Sequence, residues 1–183
     1  MDMVAVCDIM LGPGVNNKMV AYNDYLYPYR KMKDELDSAD LRVGNLECTV
    51  TDKYPIPTDS STLIFVTKPE AVNGLTYAGF DLLTVANNHA ADPGYAPLMD
   101  MMQNLRGKGI AVCGGGNNLT EARAPIVATA KGLRVGMLGY TLVPPNIGPF
   151  ATDSSWGLAP VNLQTLPDDI TAARAKADIV IPY

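Results

Sequence analysis

The sequence predicts an α/β domain, a sheet with helices packed on both faces. Two observations carry that expectation. Apolar runs of strand length alternate along the chain with segments whose apolar residues recur at helical spacing. Several of these runs also end abruptly in Asp, Asn, Glu or His, as strands do when their carboxyl ends open on a ligand crevice. At 183 residues the chain can bury one full core and is too short for two ordinary domains.

Composition narrows the class. Hydrophobic residues make up 48% and charged residues 18%, so the chain is globular and lacks the charge excess of a disordered one. A net charge of −5 argues against a broad electrostatic surface for nucleic acid or anionic membrane. Cys7, Cys48 and Cys113 are odd in number and far apart, which fits neither a disulfide framework nor a paired-cysteine metal site. Each lies in or beside an apolar run and is expected to be a small buried hydrophobe. No apolar run has transmembrane length, and the first residues lack a signal-peptide pattern, so the chain as written is expected to be soluble, with any anchor lying outside it.

The first strand is Met3 to Cys7. It delivers Asp8 at its carboxyl end, before a Gly/Pro cluster over 9–14 that reads as a loop. A carboxylate there can hold a metal, or it can cap the following turn. Tyr22, Tyr25, Tyr27 and Tyr29 follow closely and could line a ligand groove or cover one edge of the core. Residues 30–36 read as a short polar-faced helix. A second strand over 39–47 ends in Asn45 and Glu47, two apart and therefore on one face of a continuing strand.

Residues 49–62 are rich in Thr, Ser, Pro and Asp and read as a long surface loop of the kind that forms lids and substrate rims. A short strand over 63–66 leads to a helix with Pro69 in its first turn and Gly79 as its stop. The apolar run 80–86 then closes on Asn87-Asn88-His89, which includes the only histidine. Leu98, Met101, Met102 and Leu105 mark a helix over 95–108, with a core-facing stripe. A strand at 110–113 turns through Gly114-Gly115-Gly116 into a short helix; the turn has neither the dinucleotide nor the P-loop spacing. Strands at 125–129 and 133–140 form a hairpin around Lys131-Gly132. A Pro/Gly/Ser loop over 143–157 holds the only tryptophan, Trp156, before a helix over 163–177 and a last strand from Asp178.

Asp8, Asn45/Glu47 and Asn87/Asn88/His89 thus end three strands, and such ends can meet in one crevice. Two carboxylates, amide oxygens and an imidazole make a mixed oxygen and nitrogen donor set suited to Mn²⁺, Fe, Zn²⁺ or Mg²⁺.

The residues from Asp8 to Gly12, from Ala39 to Glu47, and from Ala78 through Asn87-Asn88-His89-Ala90 to Asp92 and Gly94 resemble the CapA family of bacterial capsule and poly-γ-glutamate synthesis proteins. The likeness continues through Gly109-Ile110, Gly114 to Leu119, Leu138 to Thr141 and Ala177 to Val180, nearly the whole chain. The resemblance implies a four-layer α/β sandwich of metallophosphoesterase type. It implies Asp8, Glu47, Asn88 and His89 as ligands of a divalent metal, with His89 alternatively the general acid, and Asn45 and Asn87 as supporting, substrate-side residues. It also implies an anionic polymer or its precursor and membrane synthase subunits as partners, no nucleic acid, and a place at the bacterial cell surface or envelope.

Two departures from the family pattern stand out. Cys7 occupies the place where glycine commonly precedes the Asp. The family also commonly continues past the last strand into further histidine motifs; either the chain is a truncated part of a longer protein with part of its metal shell elsewhere, as is expected here, or it cannot hold two metals as the phosphoesterases do. The functions in view are a metal-dependent hydrolase or transferase on an envelope polymer or phosphorylated precursor, a polymer-binding or synthase-accessory protein, and a structural envelope domain.

Overall fold

The computed structural model describes residues 1–57 and 63–183. Strand β1 (Met3–Ile9) is followed by helix α1 (Pro13–Ala21), where a loop was expected. Pro13 explains the difference: proline lacks the N–H that a helix start leaves unbonded, so a Gly/Pro cluster can begin a helix as readily as a turn. The helix expected over 30–36 is a 3-10 segment (Tyr27–Met32) running into α2 (Lys33–Asp37). Strand β2 (Leu41–Leu46) comes next, and then β3 (Thr49–Val50) pairs in parallel with β4 (Val66–Thr67), so the expected loop begins with a short strand and the strand expected over 63–66 is confined to its last residue and Thr67. The end of that loop, 58–62, lies outside the described residues.

Helix α3 (Ala71–Ala78) stops at Gly79, whose φ of +81° is the left-handed conformation expected of it. Strand β5 (Leu82–Thr84) leads through the Asn-Asn-His turn to α4 (Tyr95–Gly107), whose predicted stripe is fully buried. Strands β6 (Ala111–Cys113) and β7 (Gly115–Gly116) precede the short helix α5 (Leu119–Ala122), capped by the Asn118 side chain. The predicted hairpin is β8 (Ile126–Ala130) and β9 (Leu133–Leu138). Its turn residues Lys131 and Gly132 both have positive φ, which matches the twist of the flanking strands. Strand β10 (Gly157–Leu158) pairs with β7, and α6 (Leu166–Arg174) and β11 (Ile179–Pro182) complete the chain.

Among the described residues the main sheet runs β1-β2-β5-β6, all parallel, and a second runs β11-β9-β8. Strand alternation builds two cores from the first sheet. Leu46, Leu83, Val85 and Val112 face the helices and pack with Leu75, Leu98 and Met101. Leu41, Val43, Leu82 and Cys113 face the other way and meet Val135 and Met137 of the second sheet. Helix α6 lies against β9 and β11. The order is helices, sheet, sheet, helix, the four-layer α/β sandwich.

The sheets approach closely beneath the site. A Cβ on Gly139 would stand 2.1 Å from Thr84 Oγ1, so only glycine fits there. Cys48 and Cys113 are buried as expected, but Cys7 is exposed. Ala5 pairs with Val43 and Asp8 with Asn45, so β1 holds one residue more than β2 over that interval. This β-bulge lies on an edge strand, which turns Cys7 outward. Of the tyrosines, Tyr29 is buried in the core and Tyr22 and Tyr27 are exposed, their rings edge-on at 5.0 Å.

Candidate functional site

The three polar strand ends meet. The bulge in β1 places Asp8 opposite Asn45, and Asn45 in turn pairs with Thr84 of β5. From there the side chains form a relay. Asn45 Nδ2 donates to Asp8 Oδ1 at 2.7 Å, and Asn87 Nδ2 donates to Asn45 Oδ1 at 2.7 Å and to the Leu46 carbonyl at 2.9 Å. Asn87 Oδ1 accepts from the His89 and Ala90 N–H groups at 3.0 and 2.8 Å. An amide suits these positions because it donates at one end and accepts at the other; a carboxylate would break the sequence of donors and acceptors. Asn45 and Asn87 are buried, and their amides are committed to this relay. They shape the Asn-Asn-His turn from beneath.

His89 is held on three sides. Its Nδ1 lies 2.9 Å from Asp92 Oδ2, which also accepts the Phe65 N–H at 3.2 Å. The Phe65 ring covers the imidazole, with centroids 4.1 Å apart. The Asn146 side-chain nitrogen lies 3.0 Å from Nδ1, and its N–H donates to the Asn88 carbonyl at 3.1 Å. With Nδ1 turned to Asp92, Nε2 is the nitrogen left to meet a ligand or carry a proton.

The Asp92 side chain has no solvent exposure, and its Oδ1 has no hydrogen-bond partner among the described residues. Burial raises its carboxyl pKa against the opposing pull of His89 and the Phe65 N–H. Glu47 is half-buried at the end of β2, and its pKa is raised first by burial and then by the negative charge of Asp8. The charge of His89 pulls the other way.

Glu47, whose proton affinity is raised by burial and by the neighbouring Asp8 carboxylate, stands with Asp8 beside an imidazole and a half-buried Asn88, and these groups match the donor chemistry of a divalent cation. Among the described residues, no group of three or more His, Cys, Asp or Glu side chains closes into a metal cluster. Beside Asp8 opens a largely apolar cavity of about 240 Å³, lined by Val6, Met10, Val15, Met32 and Phe80 among others.

Phe65, Asp92 and Asn146 are the site residues that the strand-end pattern does not reveal. Asp92 could have been found, since a turn places residues three apart in contact. Nothing local announces Phe65 or Asn146.

The fold and site define a class: a four-layer α/β sandwich whose parallel strands end in an Asp, Asn, Glu and His cluster, as in the metallophosphoesterase-like superfamily. Residues 2–183 match the family described as bacterial capsule synthesis protein PGA_cap, and the chain belongs to that family. It is 29% identical to the capsule biosynthesis protein CapA of Bacillus anthracis, over 98% of this chain and 44% of that protein. It is 27% identical to the PGA biosynthesis protein CapA of Bacillus subtilis, over 96% of this chain and 46% of that one. A Mycobacterium tuberculosis protein named "probable polyglutamine synthesis accessory protein" is 29% identical over 66% of this chain and 32% of its own length. The chain thus spans about half the length of the two CapA proteins it matches.

Proposed function

We propose that this domain works in the synthesis of a bacterial capsule or poly-γ-glutamate polymer, as a metal-dependent hydrolase or transferase acting on the envelope polymer or a phosphorylated precursor. The observation that carries the reading is the relay from Asp8 through Asn45 and Asn87 to His89, which fixes the ends of three strands around one point. Asp8, Glu47, Asn88 and His89 would hold a divalent cation, Mn, Fe, Zn or Mg. A cation there supplies Lewis-acid chemistry, polarising a phosphoryl or acyl oxygen. Glu47 and Asp8 contribute the negative charge that draws the cation in. His89, backed by Asp92, presents Nε2 as a ligand or as the group that moves a proton. Asn45 and Asn87 set the backbone of the turn. The polymer or its precursor and membrane synthase subunits are the partners this reading calls for, at the bacterial envelope. No helix among the described residues is long and apolar enough to cross a membrane.

A second reading, a polymer-binding accessory with the site unused, has its own support. The exposed Tyr22 and Tyr27 offer flat faces to a chain, and one relative carries an accessory name. Elemental analysis and calorimetric titration with Mn²⁺ distinguish the two. Near-stoichiometric metal that disappears in Glu47→Ala is expected. Poly-γ-glutamate binding that persists in chelator and in that variant would overturn the catalytic reading in favour of the accessory one.

A further inference from the structure

The end of β1, helix α1 and the 3-10 segment enclose a groove that the hydrogen-bond relay does not use. Its inner part is the cavity of about 240 Å³ beside Asp8, floored by the buried side chains of Leu11, Tyr29, Leu36 and Phe80 and walled by the half-buried Met10 and Val15. A second cavity, of about 310 Å³, shares Met10 and Val15 with the first and reaches Phe65, the ring that covers His89. The groove therefore adjoins the candidate site at both Asp8 and His89.

Protein interiors pack too tightly to leave apolar spaces of this size by default. This one is held open by its outer wall. Asp24 accepts the Leu26 N–H at 3.0 Å and the Arg30 guanidinium at 2.8 and 3.0 Å, which fixes the approach to the 3-10 segment. Behind that wall, Gly74 of α3 lies so close that a Cβ would stand 2.3 Å from the Tyr25 carbonyl oxygen. The lining then defines the chemistry of an occupant. Among the described residues, Asp8 is the only charged one lining either cavity, and it is exposed. A carboxylate-bearing chain laid along the groove would lose hydration with no cation to pair it. A hydrocarbon chain would meet apolar side chains, with Met10 in the wall and Met32, 52% exposed, at the rim, and methionine adapts to irregular shapes. The inner cavity has room for roughly eight water volumes, enough for a chain of about six to eight carbons.

We propose that this groove binds the hydrocarbon chain of an amphiphilic substrate, whose polar reacting group then lies at Asp8 and His89. Of the two substrate classes in view, a phosphorylated precursor carrying a hydrocarbon chain fits the groove and a bare polycarboxylate does not. The placement of the reacting group rests on the proposed centre. The affinity of the groove for hydrocarbon does not.

The test uses the full chain and titration calorimetry, first with straight-chain 1-alkanols of increasing length in chelator and then with the matching alkyl phosphates in Mn²⁺. Affinity for the alkanols should rise about threefold per methylene, a little under the value for a fully buried CH₂ because the groove is open on one side, and level off at roughly eight carbons. Val15→Trp, which fills the shared wall, should weaken 1-octanol binding about tenfold. Met32→Asn changes only the exposed rim, so it folds as the wild type does, and should weaken binding about threefold. Leu142→Ser, at an exposed apolar residue away from the groove, should leave it unchanged. Alkanol affinity that ignores chain length, or 1-octanol binding unchanged in Met32→Asn and Val15→Trp, would overturn the proposal, as would displacement of 1-octanol by short poly-γ-glutamate. In Mn²⁺, octyl phosphate should bind about tenfold more tightly than 1-octanol. Equal binding of the two, with the chain-length dependence intact, would fault the proposed centre and leave the groove standing as a hydrocarbon site.

Discussion

Replacing Asn87 with alanine tests whether the strand ends are held by the relay or merely happen to meet. The Asn87 side chain makes four hydrogen bonds, two donated and two accepted, and is buried. Alanine leaves Asn45 Oδ1, the Leu46 carbonyl and the His89 and Ala90 N–H groups without that partner. Each hydrogen bond is worth about 1 kcal/mol net, and each buried group left unpaired costs about 1–3 kcal/mol. Water can reach some of these groups near the site, so the expected loss is about 3–5 kcal/mol rather than the full sum. For a chain of this size that is a fall in Tm of roughly 10 °C. Urea unfolding followed by far-ultraviolet circular dichroism and by Trp156 fluorescence measures it. Asn87→Asp sharpens the test: it keeps the acceptor for the two N–H groups but turns an oxygen toward Asn45 Oδ1 and the Leu46 carbonyl. It should be no better than alanine at neutral pH and recover in part in acid, where a protonated carboxyl can donate. A loss below about 1 kcal/mol in Asn87→Ala would mean that the relay does not hold the turn, and the reasoning would fail.

Two further outcomes follow from the same geometry. Burial and the Asp8 charge raise the proton affinity of Glu47 in the folded state, so stability from this group is fully present below the ordinary carboxylate range and is lost as pH rises through the raised value. Glu47→Gln should therefore raise Tm in chelator at neutral pH, with the gain vanishing near about pH 4; a gain that is the same at both pH values would contradict the assignment. Gly139→Ala sets a methyl 2.1 Å from Thr84 Oγ1 and 3.1 Å from Cys113 Sγ and should cost about 3 kcal/mol in denaturant unfolding. Gly107→Ala, with nothing within 4 Å of the added carbon, should cost nothing or stabilise, and equal effects would show that the sheets are not packed as described.

Period, punctuation and polar strand ends were sufficient for much of this. The strands that end at Asp8, at Asn45 and before Asn87, the buried stripe of α4, the stop at Gly79 and the hairpin around Lys131-Gly132 all follow from patterns a few residues long. Helix α1 and the exposure of Cys7 do not follow from such patterns. A Gly/Pro cluster is compatible with either a turn or a helix start, and a bulge is set by the neighbouring strand, Ala5 facing Val43 and Asp8 facing Asn45. The site divides in the same way. Asn87, Asn88 and His89 are contiguous, so their polarity at the end of an apolar run is visible in the chain itself. The Phe65 ring over the imidazole and the Asn146 amide beside His89 Nδ1 are contacts across 24 and 57 residues of sequence, for which no local spacing exists. Only the packing of two sheets, permitted where Gly139 has no side chain, brings the loop after β9 onto the turn after β5. Local patterning determines which residues end the strands, because side-chain direction repeats every two residues; tertiary packing decides what surrounds them, because contacts between distant segments depend on how layers stack.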